Sequence, residues 1–147
     1  MTRSQKYLTL ARSIAVTFSK DPSTKVGAVI VRPDNTVASI GYNGFPKGYI
    51  DSEQDYANRE YKVANIIHAE ANAITHAREN LTGSTIYVWP LMPCRECMKL
   101  IAASGIKRVV FLLDSKLMAK SKGSWNGEEA LTIAKKADIE VIGINID

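Results

Sequence analysis

The stretches His68-Ala69-Glu70 and Pro93-Cys94-Arg95-Glu96-Cys97 carry the most specific information in this sequence. They supply one imidazole and two thiols, which suit Zn²⁺, and one carboxylate that the metal does not need as a ligand. Structural zinc sites are usually closed by four protein ligands, whereas catalytic sites use three and leave a position for water. The two stretches therefore predict a catalytic site that holds one Zn²⁺ per chain through His68, Cys94 and Cys97.

The two thiols belong to the only cysteines of the chain, and metal binding would occupy both, so no disulfide framework remains and a reducing, cytoplasmic compartment is expected. Their two-residue spacing lets both sulfurs face one metal from the first turn of a helix that follows Pro93. The positive end of that helix lowers the thiol pKa and favours the thiolates that zinc requires. A lone pair with this spacing would equally fit a redox motif or two packed cysteines. The His-x-Glu stretch favours metal binding.

The segment 63–74 predicts a mostly buried helix that carries His68 and Glu70. A lone histidine on such a helix is more often a core residue than a ligand. A buried carboxylate two residues away, however, needs a partner or a proton, and a zinc-bound water provides both. Glu70 is the predicted catalytic residue, because a buried carboxyl beside a zinc-bound water can take a proton from it and pass the proton to a substrate. His76 is interpreted as structural or as facing another subunit.

The composition restricts the class of protein. A chain of 147 residues predicts one domain over residues 1–147, with a sizeable core. Its first residues lack a signal peptide, and no segment reaches the roughly 18 apolar residues of a membrane span. The net charge of +4 suits an anionic small molecule better than a nucleic acid. The densest basic stretch contains Lys116, Lys120 and Lys122, and its default interpretation is a solvated loop.

The order of predicted elements indicates an α/β fold. The pattern gives a helix over 4–20, strands over 26–31 and 36–41 joined by a hairpin turn, a loop over 42–58, the helix over 63–74, a strand over 85–89, a helix that ends at Gly105, a strand over 108–113, a helix over 127–137 and a strand over 139–146. The connection between the last two strands can hold a crossover helix, so we expect them to run parallel. The resulting architecture is a three-layer α/β/α sandwich around a five-stranded mixed sheet. The metal would lie where two helix N-terminal ends converge at the sheet edge.

Several longer segments resemble the deoxycytidylate (dCMP) deaminase family. The resemblance covers nearly the whole chain and includes residues 19–31, 41–48, 104–107 and 138–141 besides the two zinc stretches. Cytidine, guanine and tRNA deaminases share the zinc signature. The segment Gly41-Tyr42-Asn43-Gly44-Phe45-Pro46 is much more specific. The resemblance implies a cytidine deaminase-like version of the predicted fold.

The resemblance also implies an activity, namely hydrolysis of the cyclic amidine C–N bond that converts dCMP to dUMP and ammonia and so supplies dUMP for thymidylate synthesis. Asn43 would grip the substrate sugar and Ala69 would contact the substrate. Asn43 could instead, or in addition, be a left-handed turn residue before Gly44. Lys116 and Lys122 are candidates for binding the substrate phosphate, against the alternative of solvated loop lysines.

Regulation is a further implication of the resemblance. Family members are typically hexamers that dCTP activates and dTTP inhibits, with Mg²⁺ on the triphosphate. The effector site would lie at the loop of Gly41, Tyr42, Asn43 and Gly44. Some relatives carry a second, structural zinc built from additional cysteines and histidines. This chain has no cysteine before Cys94, so we expect no second zinc site.

Two other functions share some of these features. A tRNA or single-stranded nucleic-acid deaminase would have the same fold and zinc chemistry, but the modest charge argues against it. An inactive domain that serves in binding or assembly would not require Glu70, which is present. The sequence leaves open whether dCTP or dCDP is also a substrate.

Overall fold

The computed structural model describes residues 1–114 and 126–146. In this part of the chain the elements are α1 Arg3–Phe18, β1 Gly27–Val31, β2 Val37–Tyr42, α2 Glu53–Ala57, α3 Arg59–Asn65, α4 Ala69–Ala77, β3 Thr85–Trp89, α5 Arg95–Ala103, β4 Arg108–Leu112, α6 Gly127–Lys136 and β5 Glu140–Ile144. None of these helices is long and apolar enough to cross a bilayer. The three lysines of the basic stretch, Lys116, Lys120 and Lys122, lie outside the described residues.

The five strands form one mixed sheet in the order β2-β1-β3-β4-β5. Strand β1 is antiparallel to both β2 and β3. The pairs β3–β4 and β4–β5 are parallel, as predicted for the last two strands, and α6 lies in the connection between β4 and β5. Every residue of β1 is buried, because helices cover both of its faces.

Helices cover both faces of the sheet and confirm the three-layer α/β/α prediction. Successive strand residues point to opposite faces, so each central strand contributes to two cores. Helix α1 packs on one face, where the buried set is Ala11, Ile14, Val29, Val31, Tyr87 and Val110. On the other face, α4, α5 and α6 enclose a larger core whose strand residues include Ala28, Ile30, Ile86, Val88 and Val109.

The predicted single helix over 63–74 is wrong, because the segment between Asn65 and Ala69 is extended. Helix α3 ends at Asn65, and the backbone of Ile67 exchanges two hydrogen bonds with Gly44, at 2.8 and 3.1 Å. Two consecutive β-branched residues at this point favour extended backbone, and the Gly44 backbone offers them a partner. The interruption places His68 at the N-cap of α4, where its φ is −68° and its ψ is 153°.

The predicted loop over 42–58 also contains a short helix. Ser52 caps α2 by accepting a hydrogen bond from the Asp55 N–H, while the Asp55 carboxylate accepts one from the Ser52 N–H. This reciprocal pair satisfies two backbone donors that a helix start leaves free. The helix has only five residues, which is too short for an apolar period to reveal it in the sequence.

Strand β2 contacts α4 through backbone atoms at Gly41. A Cβ atom on Gly41 would lie 2.3 Å from the Ala69 carbonyl oxygen and 2.5 Å from the Ala73 nitrogen. Both alanines are fully buried, so neither backbone has room to withdraw. Glycine at this position therefore sets the distance at which the first turn of α4 lies from the sheet.

We predict that Gly41→Ala lowers the free energy of unfolding by at least about 1–3 kcal/mol, the usual cost of forcing extra volume into a packed core. Gly44→Ala is the matched control, because a Cβ there would meet only the Tyr56 hydroxyl, at 3.7 Å. Urea unfolding of both variants measures the effect. Equal stability of the two variants would show that the contact at Gly41 is not limiting.

Candidate metal centre

The structure brings the three predicted metal ligands together. The ligand atoms of His68, Cys94 and Cys97 all lie within 4.8 Å of one another. The His68 Nδ1 atom is 3.5 Å from the Cys94 sulfur and 3.3 Å from the Cys97 sulfur. A tetrahedral zinc at its usual bond lengths separates a nitrogen ligand from a sulfur ligand by about 3.6 Å. The three donors therefore fit Zn²⁺, with Nδ1 as the nitrogen ligand.

Two helix N-terminal ends deliver these ligands. His68 is the N-cap of α4 and Cys94 is the N-cap of α5, with Cys97 one turn further along α5. The site lies beyond the carboxyl end of β3, which is the central strand of the sheet. The predicted position at the edge of the sheet therefore means the edge formed by strand ends, and not an outer strand. Both helix ends direct partial positive charge at the site.

The thiols interact directly with each other and with the imidazole. Hydrogen bonds from the Cys97 thiol and from His68 lower the pKa of Cys94 to about 4. The proton held between the two sulfurs, together with burial, raises the pKa of Cys97. The hydrogen bond to Cys94 raises the pKa of His68. A cation would replace the shared proton, because metal binding requires deprotonated thiols and releases their protons.

Glu70 lies one residue into α4, beside the ligands. Its side chain is buried, and burial raises the pKa of its carboxyl to about 7, although the nearby His68 acts in the opposite direction. A carboxyl with this pKa can hold or release a proton near neutral pH, as a general acid and base requires. The cysteines are buried as well, whereas His68 is exposed, so the site opens to solvent at the imidazole.

Asn43 is buried and all of its amide atoms have partners within the chain. The amide oxygen accepts hydrogen bonds from the Ser19 hydroxyl at 2.7 Å and from the Val26 N–H at 2.9 Å. The amide nitrogen donates to the Thr24 carbonyl at 2.8 Å and faces the Asp21 carboxylate at 3.5 Å. The alternative of a left-handed turn at Asn43 is wrong, because its φ is not positive. Its contact with the substrate sugar stays a prediction.

The remaining predicted site residues differ in their surroundings. Ala69 is fully buried at the first position of α4, between His68 and Glu70. Tyr42 is partly exposed and stacks on Phe18, with ring centroids 5.5 Å apart. Lys116 and Lys122 lie in the part of the chain that the structure does not describe, so their phosphate contacts stay predictions.

The predicted Gly41–Gly44 loop is in part strand, because Gly41 and Tyr42 end β2. A separate cavity of about 300 Å³ lies beside these residues, and no metal ligand is among its lining residues. Its lining includes Gly41, Tyr42, Gly44, Lys47, Asn72 and His76. The Asn72 amide donates a hydrogen bond to the Tyr42 carbonyl at 2.8 Å and joins α4 to the loop. Lys47 and Asn72 were not predicted as site residues from the sequence. The basic residue directly after the Gly-Tyr-Asn-Gly-Phe-Pro segment is the signal that could have indicated Lys47.

Comparisons with known proteins identify similar chains. The family model for the cytidine and deoxycytidylate deaminase zinc-binding region matches residues 1–113. Human deoxycytidylate deaminase is 41% identical over 102 residues, which cover 65% of this chain and 57% of the relative. A probable deoxycytidylate deaminase of Drosophila melanogaster is 42% identical over 107 residues, which cover 65% and 52%. The chain thus spans little more than half the length of these relatives.

Solved structures support the fold. The dCMP deaminase of the cyanophage S-TIM5 superposes with a TM-score of 0.71 over 96% of both chains, at 23% identity. A diaminohydroxyphosphoribosylaminopyrimidine deaminase/reductase from Thermotoga maritima superposes with a TM-score of 0.65 over 96% of this chain and 36% of that protein, at 27% identity. These likenesses confirm the cytidine deaminase-like fold that the sequence predicted.

We predict that the purified chain binds one Zn²⁺ and that Cys97→Ser weakens this binding at least about 10-fold, since even indirect partners of ligands contribute that much. Glu96→Gln is the control, because Glu96 lies between the two cysteines but is exposed and pairs with Lys99 at 2.7 Å. Metal analysis and competition with a chromophoric chelator measure stoichiometry and affinity. Two tightly bound zinc ions per chain would contradict the assignment.

Proposed function

Because the chain belongs to the cytidine and deoxycytidylate deaminase family, we propose that it hydrolyses dCMP to dUMP and ammonia. The observation that carries the proposal is the buried Glu70 carboxyl beside a three-ligand metal centre. A structural zinc site has no use for this carboxyl, whereas a hydrolytic deaminase needs one group that moves protons. The identity of 41–42% to proteins named deoxycytidylate deaminase supports dCMP as the substrate.

His68, Cys94 and Cys97 would hold the metal, which when bound lowers the pKa of water and supplies a nucleophile at neutral pH. Glu70 accepts a proton from the attacking water and passes it to the pyrimidine ring nitrogen beside the amino-bearing carbon. It then transfers the second proton of the water to the departing amine, which leaves as ammonia. One carboxyl suffices because attack and departure take place on the same carbon.

Substrate binding is assigned to Asn43, Ala69, Lys116 and Lys122. Ala69 lies between a metal ligand and Glu70, which supports a contact with the pyrimidine. Asn43 would exchange the hydrogen bond between its amide nitrogen and Thr24 for one to a sugar hydroxyl. The two lysines would bind the phosphate.

We predict that Glu70→Gln retains zinc and fold but lowers kcat for dCMP by more than about 10²-fold, because the amide cannot carry a proton. The measurement is ammonia release from dCMP by zinc-loaded protein, with zinc content determined on the same sample. Glu96→Gln, the same chemical change on an exposed side chain, should keep the activity. Near-normal kcat in Glu70→Gln would rule out the mechanism.

We also propose that dCTP activates and dTTP inhibits the enzyme at the cavity beside Gly41, Tyr42, Asn43 and Gly44. Lys47 and other polar groups of the cavity suit a triphosphate, which Mg²⁺ would accompany. Gly44 connects this cavity with the metal centre, because it lines the cavity and its backbone pairs with Ile67, the residue before His68. The proposal includes assembly into a hexamer and a role in supplying dUMP for thymidylate synthesis. The two free thiols fit a cytoplasmic setting.

We predict sigmoidal saturation by dCMP that dCTP makes hyperbolic and dTTP depresses, with a coupling of about 1–3 kcal/mol. Linkage requires dCMP to change dTTP affinity by the same factor by which dTTP changes dCMP affinity. Lys47→Met should weaken dTTP binding about 10-fold through loss of a charge-assisted hydrogen bond. Lys6→Met, on the exposed surface of α1, is the control. Strictly competitive or absent inhibition by dTTP would exclude the regulatory site.

A further inference from the structure

Helix α3 contacts the rest of the molecule through a buried charge and, at the surface, through the ring of Tyr61 against Phe45. Its only buried residue is Lys62. The Lys62 ammonium lies 3.2 Å from the Asp21 carboxylate, and the two side chains are only 8% and 3% exposed. Removing such a pair from water costs about as much as its attraction returns, and apolar residues of similar size often stabilise a protein more. Stability alone therefore does not explain an ion pair at this position.

The Asp21 carboxylate that receives Lys62 is itself held in a fixed position. It accepts hydrogen bonds from the Ser23 N–H at 2.9 Å and from the Thr24 N–H at 3.3 Å. The Asn43 amide faces it at 3.5 Å. Among the described residues, no buried side-chain nitrogen or oxygen lacks a hydrogen-bond partner. Lys62 thus docks at one defined point, whereas an apolar contact would allow the helix to slide.

A short segment of hydrogen-bonded backbone joins Lys62 to the metal centre. The Ile66 N–H donates to the Lys62 carbonyl at 2.8 Å and ends α3. The next residue, Ile67, pairs with Gly44, which directly follows Asn43. His68 then enters the site as the N-cap of α4, with non-helical φ and ψ: its carbonyl accepts the Asn72 N–H at 3.0 Å, while the residue before it is held by Gly44. The contacts of Lys62 and of Ile67 therefore both lead to the surroundings of Asn43.

We propose that Lys62 and Asp21 are positioning residues of the metal centre. Their ion pair sets where α3 ends, and thereby where the His68 Nδ1 atom lies relative to the two sulfurs. The cysteines arrive independently on α5, so the pair acts on one ligand only. This inference deepens the proposed function and rests on it for the identity of the site.

The test compares Lys62→Met and the double variant Asp21→Asn/Lys62→Met with the parent chain. The double variant leaves no buried charge unpaired, and the asparagine that replaces Asp21 retains an oxygen for the Ser23 and Thr24 N–H groups. The control is Lys20→Met/Asp51→Asn, which removes a neighbouring ion pair of 3.1 Å whose lysine is 68% exposed. Thermal unfolding, zinc affinity by chelator competition, the absorption spectrum of the Co²⁺-substituted protein, and kcat and KM for dCMP are measured for each.

We expect the double variant to unfold within a few degrees of the parent, or above it, because apolar replacements of buried pairs are often neutral or stabilising. Its zinc affinity should nevertheless fall at least about 10-fold, as for other residues that orient a ligand indirectly. Its Co²⁺ spectrum should change as well, and the control should match the parent in both. If Lys62→Met does not fold, the double variant still provides the answer.

Parent-like zinc affinity and Co²⁺ spectrum in a folded double variant would overturn the proposal and leave the pair a purely structural contact. The metal measurements do not depend on turnover. A zinc-loaded parent that fails to release ammonia from dCMP would therefore contradict the proposed activity alone, while a change in metal binding by the double variant would still support the positioning role.

Discussion

The convergence of two helix N-terminal ends beyond the central strand is the constraint on which this structure depends. A metal site with one imidazole and two thiolates needs positive potential to hold the thiols deprotonated, and both helix ends supply it. The same place buries a carboxyl, which therefore holds or releases a proton near neutral pH. The antiparallel strand β1 and the parallel strand β4 pair with β3 on both sides, so the two cysteine ligands follow a strand that is hydrogen-bonded along both edges.

Close backbone contact fixes the position of the first turn of α4 against the sheet. Gly41 allows β2 to lie directly against the first turn of α4, where a methyl group would overlap backbone atoms. The extended residues before α4 pair with Gly44 and turn His68 towards the cysteines. Residues 41–44, the end of β2 and the two residues after it, therefore contribute to the metal centre through their backbone.

Buried polar groups around Asn43 form the second support of the site. Asp21, Asn43 and Lys62 come from three separate segments and meet without any unpartnered side-chain atom among the described residues. Such a network costs desolvation but permits only one arrangement of its members. The network lies next to Gly44, which pairs with the residue before His68. The position of α3 therefore helps to determine the position of this metal ligand.

The sequence predicted the features that follow from local pattern and donor chemistry. Apolar strand segments and the crossover length were sufficient for the sheet and for the parallel pairing of its last two strands. The His-x-Glu stretch together with the spacing of Cys94 and Cys97 was sufficient for the candidate ligands. The break at Ile66–His68 and the ion pair between Lys62 and Asp21 were not predictable in this way. An apolar pattern from 63 to 74 has the same period with or without the break. The local preference of Ile66 and Ile67 for extended backbone is weak, and the partner that satisfies it, the Gly44 backbone, is remote in sequence. A lysine is ordinarily exposed, and its burial here depends on a carboxylate 41 residues away.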